Sequence, residues 1–222
     1  MVWWRYARGQ YCVTRPSAKK ATLAYHHGNL RETLIEKGLE ILREEGPEGM
    51  SLREVARRSG VSQAAPYRHF QSKEDLYAAI AELGFRMLKE MLLQAHQHAP
   101  TDALARVRFC GAQYFRFART YPEHFRCMFG DYWHFDPAQS AACEVSLEAL
   151  GVFVEHVIAG QHAGQIDATQ NPMHLSIFLW SSIHGYASLY IRNSLFFIED
   201  EALKTHALLN DILDKTLRSV LP

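Results

Sequence analysis

The chain has 222 residues, is 48% hydrophobic and carries equal numbers of basic and acidic side chains, 24 of each. That is enough apolar material for one large core or two small ones, and it excludes a protein that is basic all over. The charge is nonetheless uneven: residues 1–72 hold 12 Lys and Arg against 7 Asp and Glu, and the remainder holds 12 against 17. A basic front and an acidic remainder suit a chain that meets phosphate at one end only. The four cysteines, Cys12, Cys110, Cys127 and Cys143, form no CxxC pair and no metal spacing. The opening MVWWRYARGQ lacks the apolar centre of a secretory signal, and no apolar run reaches the roughly 18 residues of a membrane span. A cytoplasmic protein with free thiols is the expectation.

Residues 1–24 have no helical period, and Arg15, Lys19 and Lys20 make them basic. They read either as a disordered terminus or as an arm that reaches phosphate or the minor groove. Asn29, with Glu32 three residues on, predicts a first helix from Leu30 to about Glu45, buried through Leu30, Leu34, Gly38, Leu39 and Leu42 and ended by Gly46-Pro47. Ser51 and Glu54 predict a capping box, and Gly60 a stop. Ser62 predicts a second short helix over 63–70, with Val61 and Phe70 in the core. Two short helices joined by a Gly-containing turn read as a helix-turn-helix, which enters the major groove by the leading half of its second helix. Ser72 with Asp75 starts a long helix whose stripe is Leu76, Ile80, Leu83, Met87, Leu88, Met91 and Leu92.

The rest also reads as helical. Thr101 is the expected cap of a helix to about Thr120, followed by a short helix from Pro122 to Phe129, a loop GDYWHFDP, and a helix from Ala138 to about Ala159. Asn171-Pro172 opens a helix to about Phe196 that is apolar nearly all round, and 199–219 form the last. Ser181, Gly185 and Ser188 give it a small-residue stripe. The last two helices, packed against their copies, predict a four-helix dimer interface, unless one chain buries them itself. The fold class is therefore all-α: a helix-turn-helix domain over 25–71 and a helical effector-binding and dimerisation domain over 72–222.

The stretch GMSLREVARRSGVSQAAPYRHFQSKEDLYAAI resembles the DNA-binding segment of the tetracycline-repressor (TetR) family of bacterial transcription regulators. The likeness rests on the small residue before Gly60-Val61-Ser62, on Tyr67-Arg68-His69-Phe70 and on Ser72-Lys73-Glu74-Asp75-Leu76. The second half is similar to one subgroup through Trp180, His184 and Gly185, as is the opening Tyr25-His26-His27-Gly28-Asn29-Leu30. The resemblance implies a homodimer, and phosphate contacts at the positions of Tyr67 and Lys73.

The expected DNA-binding residues are Ser51, Ser62, Gln63, Ala64, Ala65, Tyr67, Arg68, His69 and Lys73. Gln63 suits adenine N6 and N7, and an alanine methyl suits the thymine methyl. Tyr67 and Arg68 suit phosphates or base edges, and Lys73 beside a helix N-terminus suits phosphate; phosphate contacts set register rather than sequence. Arg53, Arg57 and Arg58 read as a solvated helix face. The expected ligand-binding residues are Tyr114, Phe125, Met128, Phe129, Trp133, Phe178, Trp180 and His184, many large side chains with a few polar tips. The same composition also describes a plain helical core, and His184 reads either as a ligand contact or as a satisfied core histidine.

No HExxH, GxSxG, GxGxxG or Walker loop is present, so no catalytic residue, metal or cofactor is expected. The sequence predicts a homodimeric repressor, released from a palindromic double-stranded operator by a small, largely apolar effector, with half-sites roughly 34–36 Å apart. The long Ser72 helix would carry the signal. The alternatives are a helical lipid- or acyl-binding module and a DNA-binding protein without an effector.

Overall fold

A computed structural model describes residues 30–99, 101–130, 132 and 141–222, and the contacts below lie within one compact unit, Arg31–Pro222. The basic arm 1–24, the Asn29 cap, the Tyr25–Asn29 motif, Trp133, His134 and most of the GDYWHFDP loop lie outside the described residues. The described residues are helical, without a strand, and none of their helices is long and apolar enough to cross a membrane.

The order is α1 (Leu30–Glu45), a 3-10 turn Pro47–Gly49, α2 (Leu52–Arg58), a 3-10 turn Pro66–Arg68, α3 (Lys73–Leu93), α4 (Ala95–His98), α5 (Ala103–Thr120), α6 (Pro122–Met128), α7 (Ala141–His162), α8 (Pro172–Ile191), a π-helical segment Leu203–Leu208 and α9 (Leu209–Arg218). Three caps work by one mechanism, a side-chain oxygen accepting an orphan N–H of the first turn. Ser51 Oγ accepts from Glu54 N at 3.2 Å, Ser72 Oγ from Asp75 N at 3.2 Å, and Asn171 Oδ1 from Met173 N at 2.9 Å. The box at Ser51 is only half made, because the Glu54 carboxylate turns to Arg57 and Arg58 instead. On α5 the cap is Asp102, accepting from Ala105 N at 2.9 Å, rather than the expected Thr101.

Gly60 ends α2 with φ 66°, where Val61 N bonds Ala56 O and Gly60 N bonds Arg57 O. This left-handed termination satisfies two orphan carbonyls, and glycine makes it without a Cβ penalty. Asn193 does the same for α8 at φ 54°, with Ser194 N bonded to Leu189 O. That cap stops α8 at Ile191, earlier than the apolar run through Phe196 suggests.

The expected second helix of the helix-turn-helix is not a regular α-helix. Residues 62–69 form consecutive turns around the 3-10 segment Pro66–Arg68. An α-helix would need an N–H at position 66 to bond Ser62 O, and proline has none. Ala65 N takes that carbonyl at 2.9 Å.

α1 rests on α3 where Gly38 faces Leu76, Ile80 and Met50. α3 continues against α5, α6 and α7. Lys89 bonds Glu148 of α7 at 2.9 Å, and Gly84 faces Met128 of α6. A further core cluster joins Val107, Val157, Leu175, Leu179 and Leu217 from α5, α7, α8 and α9 with Ile166 and Val220 from the segments after α7 and α9. Among the described residues, Cys110 and Cys143 form no disulfide.

Candidate nucleic-acid interface and effector site

Ser51, Ser62, Gln63, Ala64, Tyr67, Arg68, His69 and Lys73 are all exposed, and Ala65 is half-buried. Between them, Pro66 and Phe70 are buried and act as pegs. Arg31 lies over the Phe70 ring at 5.7 Å and secures it further. The turns therefore hold a row of polar side chains outward on a fixed base. Tyr67 is 51% exposed, a large aromatic kept in solvent.

Charge pairing separates the basic residues into two classes. Arg57 binds Glu54 at 2.6 Å. Arg58 binds Glu54 at 3.0 Å and also Glu44 and Glu45 of α1. Glu54 is held down at about 2, first by its hydrogen bond to Arg57 and then by that to Arg58. Arg58 is thus a clamp between α1 and α2, not the solvated face that its sequence position suggests. Arg53, Arg68 and Lys73, by contrast, make no hydrogen bond or ion pair among the described residues. Arg53 is not among the contacts expected from sequence, and only its lack of a carboxylate partner in the fold distinguishes it from its neighbours.

Five of the eight expected ligand residues come together between α5, α6 and α8. Tyr114 Oη and His184 Nδ1 share a hydrogen bond of 2.6 Å, and His184 Nε2 lies 3.3 Å from Ser188 Oγ. Phe125 stacks on His184 at 5.5 Å, while Phe129 meets His184 at 4.6 Å and Trp180 at 6.1 Å. Burial pushes the Tyr114 phenol well above its ordinary range, so it stays protonated. A hydrogen-bonded Tyr–His pair inside an aromatic cage is a polar handle in an apolar setting. Met128 is buried beside the group, against Gly84.

Phe178 does not join it. Helical geometry turns residues 178 and 180 about 200° apart, so Phe178 faces outward and is 46% exposed. The sequence reading missed Phe85 of α3, which meets Phe129 edge-on at 5.8 Å. It lies outside the stripe read from sequence, and its helical spacing from the buried Ala81, Leu88 and Leu92 was the available signal.

Residues 34–80 match the family model of bacterial regulatory proteins of the tetR family, and residues 107–214 match that of the tetracyclin repressor-like C-terminal domain. The chain is 27% identical over 95 residues to the HTH-type transcriptional repressor Rv3405c of Mycobacterium tuberculosis, covering 42% of this chain and 48% of that protein. It is 46% identical over 73 residues to the tetracycline repressor protein class C of Escherichia coli, covering 32% of this chain and 30% of the other. The chain thus spans half or less of the length of these curated relatives. A solved structure of a protein with unknown function from Rhodococcus sp. RHA1 superposes with a TM-score of 0.76 at 30% identity, covering 89% of this chain and 98% of that one. The fold is also that of the TetR family transcriptional regulator PfmR from Thermus thermophilus, at a TM-score of 0.64 and 19% identity, over 83% of this chain and 97% of the other. With both family models matched in order along one chain, and a relative similar over nearly its whole length, this protein belongs to the tetR family of bacterial regulatory proteins.

Proposed function

We propose that the protein is a homodimeric DNA-binding transcriptional repressor that leaves a palindromic operator when a small, largely apolar effector enters the Tyr114–His184 cage. The observation that carries the reading is the contrast in pairing. Arg57 and Arg58 are spent on carboxylates, whereas Arg68 and Lys73 stand exposed beside Gln63 and Tyr67 without a partner among the described residues. Unpaired cations around an exposed aromatic and amide are what phosphate positioning and base reading require. Gln63 reads adenine, Ala64 and Ala65 meet thymine methyls, and Ser51, Ser62, Tyr67, His69 and Lys73 fix the register on the backbone.

The dimer reading rests on the outer face of α8. Ile177, Phe178 and Leu189 are 40%, 46% and 47% exposed, and an added Cβ on Gly185 meets nothing within 4 Å. A second copy would cover this face. Release follows from Phe129, which touches both His184 in the cage and Phe85 on α3. An effector that pushes Phe129 aside must shift α3, the helix that carries Lys73. It displaces the equilibrium only by its preference for the released state.

The test is a gel shift on the DNA upstream of the protein's own gene. Arg68→Ala lowers affinity about 5- to 150-fold, the loss of a base-edge bond worth roughly 1–3 kcal/mol, while Arg57→Ala changes it little. Equal losses from the two substitutions, or none from Arg68→Ala, would remove the assignment.

A further inference from the structure

Away from the aromatic cage, a cleft of about 310 Å³ opens between the C-terminal ends of α5 and α8, the start of α6 and the chain leading into α9. Its walls include the cations Arg119, Arg126 and Lys204, one carboxylate, Glu201, and the apolar Ile191 and Leu195. We propose that this cleft is a second ligand site, for a small organic monocarboxylate whose carboxylate group is held by Arg119 and whose aliphatic body lies on Ile191 and Leu195.

The charge inventory leads to one negative charge. Arg126 is answered by Glu123 at 2.6 Å, and its other nitrogen donates to Ile191 O at 3.1 Å. Lys204 is answered by Glu201 at 3.0 Å, with its side chain only 14% exposed. Arg119 has no hydrogen bond or ion pair among the described residues; the Glu201 carboxyl is held below its ordinary range first by the hydrogen bonds from Tyr190 and Lys204, with the Arg119 charge adding least. One cation is therefore left over, beside a wall carboxylate that repels a dianion. A guanidinium presents a fork that matches a carboxylate with two parallel bonds.

The wall behind it is built rigidly. Tyr190 donates to the Glu201 carboxylate, and Tyr186 donates to the Lys204 carbonyl. Phe115 packs on both tyrosines, at 5.3 and 5.1 Å. Two irregular pieces of backbone border the cleft. Asn193 is the one non-glycine residue with positive φ among the described residues, and Lys204 lies in the π-helical segment, a form that gathers at functional sites. The volume is near the low end of ligand pockets, roughly 300–1,000 Å³, which limits the occupant to a short chain or a single ring.

The experiment needs no DNA, so its failure is separate from that of the repressor reading. Sodium hexanoate, hexanamide and inorganic phosphate are titrated calorimetrically into the full chain and into Arg119→Gln, and amide shifts are followed by NMR. Hexanoate is expected to bind, with shifts at Ile191, Asn193, Leu195 and Lys204. Hexanamide and phosphate bind at least about tenfold more weakly, and Arg119→Gln loses hexanoate by a similar factor while keeping the parent's circular dichroism. Equal binding of hexanamide, unchanged hexanoate binding by Arg119→Gln, shifts centred on Tyr114 and His184, or no hexanoate binding up to about 10 mM would each overturn the proposal. Should Arg119→Gln fail to fold, the hexanoate–hexanamide comparison and the shift map on the parent chain decide it.

Discussion

His156 of α7 is 2% exposed, and its Nε2 has no hydrogen-bond partner among the described residues. Burial holds its pKa down at about 4, with the neighbouring charges of His96 and Arg106 adding to the effect. The unfolded chain titrates this ring near 6.5, so between about 4 and 6.5 it binds a proton that the folded protein refuses. Stability from this group is complete above that window and falls as pH drops through it, by at most about 1.4 kcal/mol per pH unit. Melting temperature should therefore decline from pH 7 to pH 4, and His156→Leu should flatten the decline. A variant with the parent's slope would show that the ring is protonated in the fold. At the same scale, Arg58 and Arg68 are indistinguishable as letters. Only the fold reveals that one is a clamp between helices, while the other has no partner among the described residues.

Among the elements, α3 bears most of the organisation, because it packs on α1 at one end and on α5, α6 and α7 along the rest. Gly84 is a close approach to α6. A Cβ there would lie 2.5 Å from Met128 Sδ and 3.2 Å from His124 Cβ. Alanine gains about 1 kcal/mol of helix propensity over glycine, but overpacking costs about 1–3 kcal/mol. Gly84→Ala should thus be net destabilising, by about 1 kcal/mol, in urea unfolding. A stabilised variant would mean that Met128 swings away freely.

The caps at Ser51, Ser72 and Asn171 are legible in the sequence because each depends on an oxygen two or three residues before its N–H. The broken geometry after Ser62 is less so, since the pattern of exposed and buried positions survives when Pro66 removes the bond that would make it a helix. α8 reads too long because Leu195, Phe196 and Phe197 continue its hydrophobicity, while the stop comes from the backbone of Asn193. The π-helical turn before α9 leaves no pattern to read. Of the aromatic cage, the i, i+4 pair Trp180–His184 is visible. The exclusion of Phe178 needs the angular position of each residue, which composition ignores. The Arg119 cleft gathers residues from α5, α6, α8 and the π-helical segment before α9, and no local spacing announces it.

For the whole molecule, the question is what covers the outer face of α8. An apolar face of Ile177, Phe178 and Leu189 beside Gly185, left to water, forgoes stabilisation that a second copy would supply. Phe178→Glu should place an uncompensated charge there, and sedimentation should show a dimer become a monomer at micromolar concentration with its helical content intact. An unchanged dimer would move the interface elsewhere.

Two copies would also present two Arg68–Lys73 surfaces to one duplex, and each phosphate contact releases a counterion. The direct measurement is sedimentation of a labelled operator duplex with increasing protein, repeated from about 50 to 200 mM salt. Two chains per duplex, a steep loss of affinity with salt, and a slope that falls by about two in Lys73→Ala, one for each copy, are the predicted results. One chain per duplex, or an affinity indifferent to salt and to Lys73, would contradict the account.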